Sequence, residues 1–325
     1  MIMAIVNWGI LGAAKFAKEH MAPAIQAATG ARLYGLASNG RTPPADFAPY
    51  QPDLKTYDSY EALLADPAID AVYIPLPNHM HVEWSLKALD AGKHVLCEKP
   101  IAMQADEIDA LIAKRDETGL LAAEAYMIVH HPQWQRAKHL LQDGAIGKLI
   151  HVDGHFSYDN STDTDNIRNR SETGGGGIPD IGVYTYGSTR WMTEQEPREI
   201  TYADIDFENE VDVLARVSAR FDGFSAHWVN SMRMNAYQEM RFVGDKGVLR
   251  LTAPFNPLVY GPAEVLVHQD NGGIRKESFP GVNHYIEQVQ NFCAAISDPA
   301  SYAWTLENAR GTQAMIDAVF AKARL

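Results

Sequence analysis

The first 126 residues repeat a short apolar run followed by a helix-like stretch, and this alternation restricts the possible folds more than any other feature. Apolar runs typical of buried strands occupy residues 5–11, 33–38, 71–75, 94–97 and 120–126. Asp58-Ser59 is a helix-start signal before residues 60–64, and Gly92 is placed to end a helix over 82–91 in a left-handed conformation. Regular alternation of this kind predicts an α/β fold with a doubly wound parallel sheet, because right-handed crossovers place helices on both faces.

After residue 126 the pattern changes to one amphipathic helix, at 133–142, followed by runs in which apolar and polar residues alternate. These runs predict strands at 150–158, 211–221, 224–229, 240–243, 248–252 and 265–268, and two helical patterns close the chain at 285–296 and 306–323. We therefore expect two domains, residues 1–126 and 127–325. The second is predicted to be an α+β domain with a large, mostly antiparallel sheet.

Composition excludes several classes of protein. The chain has 325 residues, 46% of them hydrophobic, and a net charge of −13 without a local basic patch, which argues against nucleic-acid and anionic-membrane partners. The two cysteines imply no disulfide framework. We also find no secretory signal pattern and no run of about 18 apolar residues that would span a membrane, so a cytoplasmic location is expected.

The first predicted strand leads into a glycine turn related to the dinucleotide-binding fingerprint. Gly12, Ala13, Ala14, Lys15 and Phe16 occupy this turn, and Ala17 takes the place of the last glycine. In such a turn the cofactor pyrophosphate lies on the N-terminus of the following helix. Because Ala14 replaces the second glycine, the motif alone is weak, but its place after the first strand supports a Rossmann-type nucleotide-binding domain.

The end of the second predicted strand bears on the choice of cofactor. NAD-binding proteins usually offer a carboxylate to the ribose hydroxyls here, whereas this chain has Ser38 and Arg41 and no acidic residue. Ser38 can donate a hydrogen bond, and Arg41 can pair with a 2′-phosphate. The sequence therefore favours NADP over NAD, with NAD still possible; the alternative is a polar turn with an incidental arginine.

A stiff loop follows the third long strand and is predicted to form the second wall of a cofactor groove. Leu76, Pro77, Asn78 and His81 lie in this loop or at the start of the next helix. Asn78 and His81 are placed either to cap that helix or to contact ribose and nicotinamide. His79 and His81 lack a third ligand at a workable spacing, so we expect no metal site.

A charged pair directly before a proline ends the fourth long strand. Glu98 and Lys99 follow a buried apolar run, and Pro100 biases Lys99 towards an extended backbone. In open α/β sheets the ligand crevice lies beyond the carboxyl ends of the strands. Lys99 is therefore predicted to stand in that crevice.

The second predicted domain contains Arg168 and then four glycines, residues 174–177, that precede Asp180 and Tyr184. Four residues apart on a helix, Asp180 and Tyr184 would share one face, where a carboxylate beside a phenol resembles a proton-handling site. The alternative is ordinary helix chemistry, with Asp180 as a first-turn acid and Tyr184 as a packing residue.

Taken together, these motifs resemble the Gfo/Idh/MocA family of pyridine-nucleotide oxidoreductases over nearly the whole chain. The resemblance is closest to the branch of dihydrodiol dehydrogenases, NADP-dependent xylose dehydrogenases and glucose-fructose oxidoreductase. It rests on the Gly12 turn, Pro75-Leu76-Pro77-Asn78 with His81, Glu98-Lys99-Pro100, Glu124-Ala125-Tyr126-Met127, His131-Pro132-Gln133, residues 144–149, Asn166-Ile167-Arg168 and the glycine run with Asp180 and Tyr184. The chain departs from the family pattern at two positions. Ala14 replaces a glycine of the nucleotide-binding turn, and Val129 stands where relatives often have arginine.

The resemblance implies roles for single residues. Lys99 would polarise the substrate oxygen or exchange a proton with it, Tyr184 would be the acid/base, and Asp180 would orient the substrate or tune its neighbours. Substrate contacts are implied for Lys99, Tyr126, Asp180 and Tyr184. Cofactor contacts are implied for Gly12, Ala13, Ala14, Lys15, Phe16, Ser38, Arg41, Leu76, Pro77, Asn78, His81, Glu98, Lys99, Glu124, Arg168 and Tyr285.

The function expected from this resemblance is an NADP(H)-preferring oxidoreductase that moves a hydride at a secondary alcohol or hemiacetal carbon of a sugar, cyclitol or related polyol. One alternative is a redox-neutral, glycosidase-type enzyme that retains its nicotinamide. The other is a nucleotide-sensing protein without catalysis. The family also implies a homodimer or higher homo-oligomer formed through an exposed sheet face.

Overall fold

The computed structural model of the chain describes residues 5–38 and 44–323, which form two compact units. The first combines the described residues up to His130 with Asn283–Arg310, and the second combines His131–Val282 with the described residues from Gly311 onward. The first unit thus includes a segment from the C-terminal part of the chain, whereas the predicted division at residue 126 treats each domain as one continuous stretch.

The first unit contains a six-stranded, fully parallel sheet with strand order β3-β2-β1-β4-β5-β6. Its strands are β1 (Val6–Leu11), β2 (Ala31–Ala37), β3 (Lys55–Tyr57), β4 (Ala71–Ile74), β5 (His94–Cys97) and β6 (Ala122–Glu124). This confirms the predicted doubly wound sheet. The edge strand β3 was not predicted, because three half-exposed residues give no apolar run.

The α-helices of the described chain are α1 (Ala22–Ala27), α2 (Tyr60–Leu64), α3 (His81–Asp90), α4 (Ala105–Thr118), α5 (Pro132–Gln142), α6 (Val183–Thr193), α7 (His284–Ala295) and α8 (Leu306–Ala323). The predicted helix ends are present: Ser59 Oγ accepts a hydrogen bond from Ala62 N at 3.0 Å, and Gly92 follows α3 with φ +75°. In the first unit, α3 and α4 pack their apolar faces on β4 and β5 and form one core with Leu306 and Ala309.

Strand order decides which loops of the first unit are neighbours. Since β4 pairs with both β1 and β5, the residues after these three strands lie side by side at the carboxyl edge. Gly12, Leu76 and Lys99 are the predicted site residues in these positions. This is the switch point at which doubly wound sheets bind ligands.

The second unit contains an eight-stranded sheet with strand order β14-β13-β12-β11-β7-β10-β9-β8. Its strands are β7 (Leu149–Asp159), β8 (Glu199–Glu208), β9 (Val211–Arg220), β10 (Ser225–Ser231), β11 (Arg233–Gly244), β12 (Gly247–Thr252), β13 (Glu264–Gln269) and β14 (Ile274–Ser278). Only β7 and β10 pair in parallel, so the predicted, mostly antiparallel sheet is confirmed. The outermost strands β8 and β14 were missed, because their charged, exposed residues obscure the alternation.

One face of this sheet is buried and the other is open. Val152, Phe156 and Trp228 point to the buried face, on which α5 and α6 pack. Asp153 and Tyr237 belong to the opposite, more exposed face. A half-buried antiparallel sheet produces the alternation from which its strands were predicted.

A π-helical turn, Ile178–Gly182, precedes α6 and carries Asp180. Val183 N donates to Ile178 O, five residues back, in place of the α-helical partner four residues back. Asp180 therefore lies in a π-helical turn and Tyr184 in the α-helix that follows, whereas the predicted shared face assumed one regular α-helix. Pro179 lies in the first turn, where a missing backbone N–H costs no helical hydrogen bond.

A buried carboxylate, Asp212, fastens the glycine run to this turn. Ile178 N donates to Asp212 Oδ2 at 2.6 Å, and Gly177 N donates to the same carboxylate. Gly176 has φ +137°, and a Cβ atom there would overlap Asp212 Oδ1. Burial raises the pKa of Asp212 to about 7, although the backbone donors oppose this shift.

We expect the stability cost of Asp212→Asn to depend on pH. In the wild-type protein the Asp212 pKa rises on folding, so the folded state holds a proton that the unfolded state has lost, and stability falls between about pH 4 and pH 7. The variant lacks this dependence. Its cost in unfolding free energy should be a few kcal/mol larger at pH 5 than at pH 8, since one pKa unit corresponds to about 1.4 kcal/mol.

Urea unfolding at the two pH values measures this difference. Asp245→Asn, which alters an exposed carboxylate that accepts from Lys148 N, controls for the loss of one charge. An Asp212→Asn cost that is equal at pH 5 and pH 8 would contradict the raised pKa.

Candidate active site

Glu98 and Lys99 are half-buried at the carboxyl end of β5, and the Lys99–Pro100 peptide bond is cis. Tyr73, fully buried in β4, donates its hydroxyl to Glu98 Oε1 at 2.6 Å, and Lys99 N donates to Glu98 Oε2 at 3.3 Å. Burial raises the pKa of Tyr73, which keeps the phenol protonated as a donor. Tyr73 thus anchors one oxygen of Glu98, and the other oxygen accepts from the backbone N–H of the lysine itself.

The family resemblance implied a cofactor contact for Glu124, but its side chain is buried in the interior of the first unit. It is 2% exposed, and its two oxygens accept from Ile101 N at 3.0 Å and from Trp304 Nε1 at 2.9 Å. Burial raises its pKa to about 7. With so little exposed surface it cannot contact a cofactor in this conformation; it holds the segment that follows Lys99.

His81 and Tyr126 are likewise buried completely, at 0% exposure each. The imidazole of His81 lies between the carbonyl oxygens of Leu76 and Pro100, and the ring of Tyr126 stacks on Trp304 at 4.0 Å. The predicted direct contacts of His81 with cofactor and of Tyr126 with substrate therefore do not fit this conformation. The sequence motif identified important positions but not whether they face outward.

The turn after β1 is shaped to receive a nucleotide. Gly12 has φ +110°, and a Cβ atom there would lie 2.8 Å from Leu76 Cδ2, so only glycine fits without displacing that side chain. Ala13 and Ala14 are partly exposed, and Lys15 is exposed at the start of the helical stretch. Backbone N–H groups at a helix start favour phosphate. These residues fit a dinucleotide.

Two predicted cofactor residues from distant parts of the chain meet beside this turn. The ring of Phe16 packs edge-on against Tyr285 in α7, with centroids 5.5 Å apart, and His20 packs on both rings. Burial lowers the pKa of His20. The meeting of Phe16 and Tyr285 explains how residue 285 can belong to the same unit as the glycine turn.

The remaining predicted cofactor residues of the first unit lie in loops at the carboxyl edge. Ser38 follows β2 and is half-buried, and Pro77 and Asn78 are half-buried in the loop after β4. Asn78 begins a short 3₁₀ turn, Asn78–Met80, directly before α3. Arg41 lies outside the described residues.

In the second unit, Asp180 connects two other polar side chains. Its Oδ1 atom is 2.8 Å from Arg168 Nε, and its Oδ2 atom accepts from the hydroxyl of Tyr158 at 2.6 Å. Attraction by Asp180 raises the pKa of Arg168, and burial raises that of Tyr158. Since 40% of the Arg168 side chain is exposed, the guanidinium can also meet a ligand.

Tyr184 stands at the edge of an aromatic cluster in the same unit. Its ring packs against Phe156 and Phe255 at centroid distances of 5.9 and 5.5 Å, and it is 7% exposed. Its phenol also contributes to the raised pKa of Arg168, so the two groups interact. A phenol near a guanidinium can act as a proton donor or acceptor, because the cation stabilises the phenolate.

Sequence reasoning did not identify Tyr73, Tyr158, Asp212 and Trp304, which hold the site residues in place. Tyr73, Asp212 and Trp304 are buried and Tyr158 is half-buried, and for Tyr73 and Asp212 a polar group in a predicted strand was the available indication. Such a group needs a partner when it is buried. The identity of that partner depends on the tertiary structure.

Residues 5–38 and 44–323 contain neither a metal-binding cluster of side chains nor a membrane-spanning helix. No cluster of three or more His, Cys, Asp or Glu side chains there is arranged to hold a metal ion. Within the same ranges, no helix combines the length and apolar character needed to cross a bilayer.

Comparison with known proteins agrees with this arrangement. Residues 6–126 match the family model described as the GFO/IDH/MocA oxidoreductase family, NAD-binding Rossmann fold, and residues 134–250 match the GFO/IDH/MocA C-terminal domain. An uncharacterized oxidoreductase of Rhizobium meliloti is 34% identical, covering 98% of this chain and 96% of the relative. The D-xylose 1-dehydrogenase (NADP(+)) 2 of Haloferax volcanii is 31% identical, covering 97% of each chain.

Among solved structures, a 3-ketoreductase from Actinomadura kijaniata in complex with NADP and TDP-benzene superimposes with a TM-score of 0.88 at 26% identity, covering 98% of both chains. The resemblance found in the sequence is thus confirmed over both parts of the fold. On this combined evidence, the chain belongs to the Gfo/Idh/MocA family of NAD(P)-dependent oxidoreductases.

Proposed function

We propose that this protein is an NADP(H)-preferring oxidoreductase that transfers a hydride at a secondary alcohol or hemiacetal carbon of a sugar, cyclitol or related polyol. The observation that carries the proposal is the half-buried Lys99, held at the switch point of the parallel sheet beside the Gly12 turn. The xylose dehydrogenase and dTDP-sugar reductases among its relatives support a sugar-like substrate.

A bound nicotinamide supplies or accepts the hydride, and the chain must handle the matching proton at the substrate oxygen. We assign polarisation of that oxygen to Lys99, since its ammonium stabilises developing negative charge. We assign the proton transfer to the phenol of Tyr184. In the direction of oxidation, the hydroxyl proton passes to the phenolate as the hydride leaves carbon; reduction is the reverse.

Asp180 has an orienting role in this proposal, because both of its oxygens already accept hydrogen bonds, from Arg168 and Tyr158. It fixes the guanidinium near Tyr184, where the positive charge favours the phenolate. Arg168 then serves the substrate side of the site, which its partial exposure permits.

The preference for NADP rests on the segment after β2. Ser38 follows β2, and the sequence has Arg41 three residues later, with no carboxylate between them. A 2′-phosphate would meet a positive charge there, whereas an NAD ribose would lack its usual acidic partner. The NADP named in the relative from Haloferax volcanii and in the Actinomadura kijaniata complex supports this choice.

We further propose that the protein is a homodimer or higher oligomer in the cytoplasm. The open face of the second unit's sheet carries Tyr202, Tyr237 and Ile274, which are 51%, 45% and 60% exposed. Apolar side chains on an exposed sheet face favour association with a second copy.

The cytoplasmic location is supported by the two cysteines, which are buried and form no disulfide bond with each other, as suits a reducing compartment.

We expect NADPH to bind at least tenfold more tightly than NADH, and Arg41→Ala to remove most of that difference. The reason is the loss of the cation that pairs with the 2′-phosphate. Fluorescence titration of purified protein with each cofactor measures both affinities. Equal affinities in the wild-type protein would contradict the NADP preference, and no binding of either would contradict the cofactor site.

Lys99→Ala and Tyr184→Phe should each lower kcat roughly 100-fold or more in a sugar and polyol screen with NADP, the usual range for loss of an acid/base group. Tyr186→Phe is the matched control, since this buried phenol two residues away has no hydrogen-bond partner within the described residues. Normal turnover by Lys99→Ala would overturn the mechanism. Turnover without net NADPH consumption would indicate the redox-neutral alternative, and binding without turnover would indicate a sensor.

Analytical ultracentrifugation should show a mass of at least two subunits. Tyr237→Glu should shift the population towards monomer, because it adds charge to the proposed interface. Val259→Glu is the control, as Val259 is 76% exposed but lies outside the sheet. A monomeric wild-type protein would rule out the proposed assembly.

A further inference from the structure

A cavity of about 530 Å³ lies in the first unit, away from the carboxyl edge that carries Lys99. It is formed by the end of α4, by the turn that leads into β6 and by the segment that leads into α8. Since β6 runs parallel to β5, residues 119–122 lie at the amino end of the sheet, the end opposite to Lys99. The volume is typical of cavities that bind small molecules, which measure roughly 300–1,000 Å³.

The walls of this cavity are largely apolar and include two aromatic rings. One side comes from the α4–β6 turn and the other from the segment before α8, with Leu120, Leu121, Ala122, Pro299, Tyr302 and Trp304 as the apolar residues that define them. Such walls favour an apolar or aromatic ligand body, because its surface leaves water on binding.

Two carboxylates and one guanidinium lie at the rim. The side chains of Asp116 and Glu307 are 63% and 54% exposed, and that of Arg115 is 20% exposed. Arg115 Nη1 and Nη2 donate to the two oxygens of Glu307 at 3.1 and 2.8 Å, and Arg115 Nε donates to Asp116 Oδ1 at 2.9 Å. The hydrogen bonds from Arg115 lower the pKa of Glu307 to about 2, so this carboxyl is ionised at neutral pH. One negative charge is therefore in excess at the rim, which favours a cation.

The cavity wall is also connected to the segment that carries Lys99. Trp304 Nε1 donates to Glu124 Oε2 at 2.9 Å, and Glu124 Oε1 accepts from Ile101 N at 3.0 Å. Ile101 follows Lys99 by two residues. A ligand that packs against Trp304 favours the arrangement in which Glu124 holds this segment, because a ligand stabilises the conformation that it binds more tightly.

We propose that this cavity is an effector site for a small organic cation with an apolar or aromatic body. The body packs between the α4–β6 turn and Trp304, and the ammonium lies at the rim beside Asp116 and Glu307. Binding holds Trp304 in place and, through Glu124, the segment after Lys99. The reaction proposed above makes no use of this cavity, so the two proposals can be tested separately.

Three probes of similar size that differ in charge test the ligand class: 2-phenylethylammonium, 2-phenylethanol and 3-phenylpropionate. Calorimetric titration of the full-length protein should show saturable binding of the ammonium, about fivefold tighter than that of the alcohol, with the carboxylate weakest. The factor is modest because water and salt screen an ion pair at an exposed rim.

Two pairs of variants locate the site. Ala300→Trp places an indole at the exposed rim and should weaken ammonium binding about tenfold or more, whereas Ala303→Trp, at an exposed alanine outside the lining, should not change it. Asp116→Asn should remove most of the preference for the ammonium over the alcohol, because the remaining rim charges cancel. Glu117→Gln is its control, since Glu117 is 68% exposed, pairs with Lys114 and lies outside the lining.

Amide hydrogen exchange at Ile101 tests the connection to the lysine segment. Saturating 2-phenylethylammonium should raise the protection of this amide about threefold or more in the wild-type protein, and should not raise it in Ala300→Trp. Trp304→Phe, which keeps an aromatic ring in the wall but lacks Nε1, should bind the probe without this rise.

The absence of saturable binding by all three probes, or equal affinities for the ammonium and the alcohol, would overturn the proposed site. Binding that Ala300→Trp leaves unchanged would also overturn it, because the probe then binds elsewhere. Unchanged exchange at Ile101 in the saturated wild-type protein would overturn the effector role. A failure of the proposed reaction shows instead as normal turnover by Lys99→Ala, which leaves these binding results unaffected.

Discussion

The first unit depends on one physical requirement, which is that polar groups buried at the carboxyl edge of the parallel sheet must find partners. Glu98 pairs with Tyr73, and Glu124 pairs with Ile101 N and Trp304. An unpaired buried polar group costs about 1–3 kcal/mol, so these bonds define one arrangement of the backbone around Lys99. Because that backbone is held from several sides, the lysine can be aimed without being buried. The rigid surroundings thus hold a half-buried lysine in the position that the proposed reaction requires.

In the second unit, too, hydrogen bonds to carboxylates hold the predicted site residues in place. Asp212 holds the glycine run through backbone N–H groups, and Asp180 holds Arg168 and Tyr158. Both carboxylates already accept hydrogen bonds, Asp212 from backbone N–H groups and Asp180 from Arg168 and Tyr158, which ties them to positioning other groups. The phenol of Tyr184, packed among aromatic rings and interacting with Arg168, is the group to which we assign the proton transfer in the proposed reaction. In both units, carboxylates organise the backbone and other groups perform the proposed reaction.

Much of this arrangement could be predicted from local sequence. The central strands β1, β4 and β5 were legible because strands buried on both faces are continuous apolar runs. The edge strands β3 and β14 were not, since their exposed residues carry no such run. The Gly12 turn was recognisable despite Ala14 because of its place directly after the first strand, and the structure adds that Gly12 has φ +110°.

The sequence by itself determined the doubly wound sheet, the antiparallel sheet and the residue types at their edges, since periodicity and turn residues are local properties. Only the tertiary structure decided which of these polar residues face a ligand and which face the interior. His81, Glu124 and Tyr126 belong to the same motifs as Lys99, yet they are buried while Lys99 is half-exposed. The difference arises because burial depends on what packs from distant parts of the chain, such as Trp304 on Tyr126. No pattern of neighbouring residues records that packing.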